Sequence, residues 1–197
     1  MNTTQEGAVD RQRRLAALGL RIDSLQEKAR RVGTDVRSAA HRRVDDLRTR
    51  EAEARADLRD LRDEIARERL ADVEALDEEV SELEHQIEIA DAELDAETAA
   101  DAQAYVEAAE RAAAAWDAYL DGLDERAGAA RDATAEQLHR SVTRARTVRD
   151  EAERRIQEAR AASKHGLSTA WKAVRKSFDD LDWAADQAAA DIARYVE

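Results

Sequence analysis

The chain has 197 residues, of which 39% are charged and 4% aromatic, with six Gly, no Pro, no Cys and a net charge of −13. Without Cys there is no disulfide framework and no thiolate metal site, and so few Gly and Pro argue against a turn-rich compact globule. What remains, dominated by Ala, Arg, Asp, Glu and Leu, is the profile of long helices and coiled coils, and its apolar periodicity argues against disorder.

In chain order, residues 1–7 are expected to be disordered. They carry no apolar core and no cleavage signature, and no apolar run approaches the ~18 residues that a membrane span needs, so a cytoplasmic protein is expected. From Leu15 the apolar residues fall at Leu15, Leu18, Ile22, Leu25, Ala29, Val32 and Val36. Steps that alternate three and four are a coiled-coil seam. The stripe continues through Val44, Leu47, Ala54, Leu58, Leu61 and Ile65, then through Val73, Leu76, Val80, Leu83, Ile87, Ala90 and Leu94. Its phase slips near Ala40 and Leu70, as happens where a supercoil unwinds or a helix turns back.

Helices are predicted over about 8–66, 70–120, 123–163 and 168–196, and the first two are free to run together. The best break is Ser163 to Thr169, where His165-Gly166 suits a C-terminal cap and Ser168 or Thr169 an N-cap. Gly33-Thr34 and Asp121-Gly122 are weaker candidates, because the stripe passes through both.

Sliding the sequence along itself gives one clear register, at 98 residues. His41-Arg42 meets His139-Arg140, Arg48-Thr49 meets Arg146-Thr147, and Glu53-Ala54 meets Glu151-Ala152. The apolar positions stay in phase, with Val73, Leu76, Val80, Leu83 and Leu94 lying on Trp171, Val174, Phe178, Leu181 and Ile192. The expected fold is therefore all-α, an elongated antiparallel coiled-coil bundle of two tandem repeats of about 98 residues, 8–103 and 104–197. A solenoid would need three or more units.

Charge is segregated. Residues 1–70 carry 17 basic and 14 acidic side chains, residues 71–138 carry 3 and 21, and residues 139–177 carry 11 and 4. An acidic middle between two basic arms suits antiparallel folding of the arms against it. The alternative is that the Arg-rich arms bind nucleic acid or anionic lipid, but no nucleic-acid-binding motif supports the first of these.

Few constellations suggest chemistry. His41 has Asp45 four residues on, but the matching residue after His139 is Thr143, so no metal site is expected. No phosphate-binding Gly loop and no Ser nucleophile motif is present. The expectation is a non-enzyme with no cofactor, metal or small-molecule substrate.

The last helix is the most distinctive segment. Leu167, Trp171, Val174, Phe178, Leu181, Ala185, Ala188, Ile192 and Tyr195 form one stripe, with Lys164, Lys172, Arg175 and Lys176 in its first half. Such a helix either docks on a bundle through that stripe or lies in a membrane interface. Trp171, Val174, Phe178, Leu181, Lys172, Arg175 and Lys176 are thus candidate interaction or lipid-facing residues. Trp183 falls two positions after Leu181, roughly on the opposite face, and is a candidate contact for a protein partner or an oligomer mate.

The second repeat resembles a family of small bacterial coiled-coil stress-response proteins. The likeness is a long Ala- and acid-rich helix from about Tyr105 to Ser163, a short break, then an amphipathic segment with Ala170-Trp171, Val174, Phe178, Leu181 and Ala184. This chain departs from that pattern in being doubled, with Val73 in its first copy where Trp171 stands in the second. The family is similar in style to apolipoprotein-like and phage-shock-like helical proteins. The resemblance implies a helical stress-response protein and no catalytic residues, while the duplicated seam and the alternating charge point to self-association.

Overall fold

The computed structural model describes residues 3–32, 34–64, 70–129, 133–162 and 167–196. Among them it shows six helices and no strand: α1 (Thr3–Ala29), α2 (Thr34–Glu64), α3 (Leu70–Glu97), α4 (Ala102–Ala129), α5 (Ala133–Ala161) and α6 (Leu167–Val196). The chain divides into two compact units, Met1–Thr98 and Ala99–Glu197, so each unit contains three helices of about four nanometres at 1.5 Å per residue. Within each unit every helix touches the other two.

The directions follow from side-chain pairs. Arg14 of α1 reaches Ser81 and Glu84 of α3 while Lys28 reaches Asp91 and Asp95, so α1 and α3 run parallel. Arg43 of α2 meets Glu93 and Arg50 meets Glu82, so α2 runs against them. The second unit repeats this order. Arg146 of α5 pairs with Asp121 and Arg160 with Glu110 of α4, an antiparallel pairing, while Tyr105 of α4 lies beside Trp171 of α6.

The sequence stripe is the core. In unit 1 Leu15, Leu18, Ile22, Leu25 and Ala29 of α1 pack with Val44, Leu47, Ala54 and Leu58 of α2 and with Leu76, Val80, Leu83, Ile87, Ala90 and Leu94 of α3. In unit 2 the residues 98 positions later are buried in turn, among them Trp116, Leu120, Leu123, Val142, Ala152, Ile156, Val174, Phe178, Leu181 and Ile192. A three-helix arrangement suits this stripe, because a lone helix leaves its apolar side in water and most helical stability comes from burying it.

Four helices were expected and six are present among the described residues. α1 starts at Thr3, inside the segment expected to be disordered. The 8–66 helix is broken after Ala29, where Arg30 and Arg31 close the last turn through bonds from their N–H groups to the carbonyls of Gln26 and Lys28. The 70–120 and 123–163 helices are instead divided after Glu97 and after Ala129, and Asp121-Gly122 lies inside α4. At the Thr98–Asp101 turn the Thr98 hydroxyl donates to the Leu94 carbonyl, and the Asp101 carboxylate accepts from the Ala104 N–H at 2.9 Å, an N-cap. Helix continuity and helix reversal bury the same phase of residues, so the stripe alone does not separate them. The His165-Gly166 cap lies outside the described residues.

Candidate interaction surface

The α6 stripe is turned inward from Val174 to Ile192, whereas Tyr195 is 49% exposed. Val174, Leu181, Ala185 and Ala188 are fully buried and Phe178 is 6% exposed. Trp171, half-buried, stacks on Tyr105 of α4 with ring centroids 4.5 Å apart and planes 10° apart, and the Tyr105 hydroxyl donates to the Trp171 carbonyl at 3.1 Å. In this arrangement α4 and α5 cover the stripe of Val174, Phe178 and Leu181, and Trp171 packs on Tyr105 at its edge. Local amphipathicity is the same whether a stripe docks on a bundle or lies in a membrane interface.

The basic residues beside the stripe lie toward solvent. Lys172 and Lys176 are exposed and Arg175 is half-buried. Lys176 bridges to Asp180 one turn on, at 2.6 Å. Farther along the same outer face stands Trp183, 68% exposed. In unit 1 Leu20 of α1 is 73% exposed. These two large apolar side chains sit on otherwise charged surfaces, and an exposed Trp is the residue type most often found anchoring an interface.

The rest of the surface is wired by charge. In unit 1 the wiring converges on α3, which has twelve carboxylates and no basic residue. Arg11 pairs with Asp77, Arg14 with Glu84 at 2.8 Å, Arg21 with Glu88 at 3.9 Å, and Lys28 with both Asp91 and Asp95 at 2.7 and 2.6 Å. Arg43 and Arg50 add a second row from α2. Burial by itself would lower the Lys28 ammonium, but its bonds to Asp91 and Asp95 outweigh this and hold it above its usual range. Of the basic first arm, α2 lies antiparallel against acidic α3, whereas α1 lies parallel to it.

Unit 2 is wired along α4 and α5. Arg146 meets Asp121 and Asp124, Arg149 meets Asp117, and His139 Nδ1 lies 2.7 Å from Asp124. One geometry recurs in both units at the 98-residue offset. Arg48 meets Asp23 at 2.8 Å and Arg146 meets Asp121 at 2.8 Å. Likewise the Thr49 hydroxyl donates to the Asp45 carbonyl and the Thr147 hydroxyl to the Thr143 carbonyl.

Two charged residues lie in the seams themselves. On α2 the apolar steps run Val44, Leu47, Ala54, Leu58, and Glu51 fills the missing position, 9% exposed. On α5 the steps run Val142, Ala145, Ala152, Ile156, and Arg149 fills it. The sequence signal was the seven-residue gap in each stripe. A carboxyl group elsewhere is strongly perturbed. Half-buried Glu79 of α3 is raised to about 7, by desolvation first and then by the charges of Asp57 and Glu53, with a hydrogen bond to Asp57.

Among the described residues no group of three or more His, Asp or Glu is arranged to hold a metal ion, and no helix is long and apolar enough to cross a membrane. His41 is half-buried, and His85 Nδ1 is buried with no hydrogen-bond partner among the described residues. No family model, no curated protein and no solved structure matches the chain.

Proposed function

We propose that the chain is a structural and interaction protein and not an enzyme: a cytoplasmic, self-associating coiled-coil protein with a role in stress tolerance, made of two units that arose by duplication. The duplication reading is supported by the buried positions and the Arg–Asp and Thr contacts that recur 98 residues apart. The observation that carries the interaction reading is Trp183, an exposed aromatic on the outer face of a helix whose own stripe is already satisfied. Burying such a side chain against a partner is worth about 1.5–3 kcal/mol by area, enough to matter when repeated symmetrically. Sedimentation velocity over a range of concentrations tests it. An oligomer that dissociates in Trp183→Ala supports the reading, and a monomer at every concentration overturns it.

A second reading is a peripheral protein of anionic membranes, favoured by one feature, the cluster of Lys172, Arg175 and Lys176 beside an amphipathic stripe with Trp171 and Phe178. It requires α6 to leave α4 and α5. Salt-sensitive co-flotation with anionic vesicles, weakened in Trp171→Ala/Phe178→Ala and accompanied by faster hydrogen exchange in α6, is its expected signature. Vesicles that never carry the protein upward, at low or physiological salt, would remove it.

A further inference from the structure

We propose that the charged layer at Glu51 in unit 1 and Arg149 in unit 2 is a partner-selection device, which makes α2 pair with α1 and α5 with α4 and opposes pairing of a unit 1 helix with a unit 2 helix.

The need for such a device follows from the similarity of the units. Their seams present buried apolar residues at matching positions, Leu18, Ile22, Leu25 and Ala29 against Trp116, Leu120, Leu123 and Ala127. Apolar packing of this kind is tolerant of exchange, and a single polar seam position is the usual means by which coiled coils choose register and partner.

The two layers are built in opposite senses. In unit 1 the second helix supplies both charges: Glu51 on the seam bridges to Arg55 one turn on, at 2.5 Å. The facing residue of α1 is Gly19, and a Cβ there would lie 2.7 Å from Glu51 Oε1 and 2.8 Å from Arg55 Nη2. The pair thus fills the space that the missing side chain leaves. In unit 2 the residue matching Gly19 is Asp117, and it is the counter-ion of Arg149, whose other nitrogen meets Glu153 at 2.6 Å. Arg149 Nε is buried without a partner among the described residues, so the guanidinium leans on Asp117 for its desolvated side.

Cross-pairing fails differently in the two directions. With α4 against α2, Asp117 would enter the space that Glu51 and Arg55 occupy and bring a second carboxylate onto a buried one. With α1 against α5, Gly19 would offer Arg149 no carboxylate, leaving its buried side unpaired, the costly way to lose an ion pair. Native pairing gives each buried charge its counter-ion, Arg55 for Glu51 and Asp117 for Arg149.

Because the chain has no Cys, pairing can be read with introduced thiols. Asp23 and Arg48 meet across α1–α2, and Asp121 is the α4 counterpart of Asp23. In Asp23→Cys/Arg48→Cys/Asp121→Cys, refolded at high concentration and treated with a short bis-maleimide, the link from 48 is expected to go to 23. Transplanting the unit 1 layer into unit 2 with Asp117→Gly/Arg149→Glu/Glu153→Arg makes the two layers alike while keeping a counter-ion in each. The 48–121 link is then expected to rise about tenfold, the ratio that a difference near 1.4 kcal/mol produces, with swapped dimers in light scattering. The reverse transplant, Gly19→Asp/Glu51→Arg/Arg55→Glu, is expected to do the same, and it decides the question if the first variant does not fold. Gly19→Asp alone is expected to depress the 23–48 link. An unchanged ratio of links in a folded transplant, or an unchanged 23–48 link in Gly19→Asp, overturns the proposal.

Discussion

Unit 1 and unit 2 present matching apolar seams and solve the problem of their charges in different ways. Unit 1 sets an all-acidic third helix beside two Arg-bearing ones, so its ion pairs run along α1–α3 and α2–α3. Unit 2 spreads its acids over all three helices, ties α4 to α5 with Arg146, Arg149 and Arg160, and puts its aromatic bulk inside, with Trp116 fully buried and Tyr105 stacked on Trp171. A helical hairpin can thus be held by the edges or by the core. Edge pairs are each worth little in water and are screened by salt, whereas core volume is not.

The sharpest break of this comparison is in the core of unit 2. Trp116→Ala is expected to cost about 3–5 kcal/mol by removing a fully buried ring, and hydrogen exchange should quicken in α4–α6 while α1–α3 keep their protection. Leu18→Ala, at the matching position of unit 1, is expected to cost less, about 2–4 kcal/mol, because a smaller side chain leaves a smaller cavity. Equal losses for the two would mean that the seams are energetically alike and the aromatic core confers nothing extra.

Salt sharpens the comparison at the edges. Raising ionic strength from about 0.05 to 1 M shortens the Debye length to about 3 Å, and unit 1 is expected to lose more protection than unit 2. Lys28→Met should remove about 1 kcal/mol of stability at low salt and nearly nothing at high salt, as read from urea midpoints in the two buffers. A salt-independent loss would assign Lys28 to packing through its aliphatic stem.

In unit 1 a pH response near neutrality is carried by Glu79. Glu79 binds its proton more tightly folded than unfolded, so its contribution is fully present below its ordinary carboxylate range and is lost as pH rises through about 7. Desolvation beside Asp57 and Glu53 is the cause, and after solvent screening the effect is about 1 kcal/mol. Between pH 5 and 8.5 the wild type should lose that much more stability than Glu79→Gln. In unit 2 the matching position is Ser177, whose hydroxyl donates to the Ala173 carbonyl, with Arg155 in the place of Asp57. The smallest expected effect on folding is that of Trp183→Ala, within about 0.5 kcal/mol. A larger loss in thermal unfolding would mark Trp183 as part of unit 2's own packing.

How much was legible differs from residue to residue. Leu15, Leu18, Ile22, Leu25, Val44, Leu47, Leu76, Val80, Leu83, Ile87 and Leu94 and their counterparts could be assigned to the core from spacing alone, because a helix repeats every 3.6 residues whatever it packs against. Trp183 could be placed outside for the same reason. Glu51 and Arg149 were visible only as gaps in the stripe, and their meaning came from what faces them, Gly19 and Asp117.

The sequence by itself determined that the chain is helical, which face of each helix is apolar, and that a common phase recurs after 98 residues, since all three are properties of local period. Only the tertiary structure decided where the helices turn back within each unit, after Ala29 and after Ala129, because a straight helix and a hairpin display the same stripe. It likewise decided that Val174, Phe178 and Leu181 are core and that the acids of α3 are paired from two sides. Burial and pairing depend on which second surface meets the first, and a single helix's pattern carries no information about that surface.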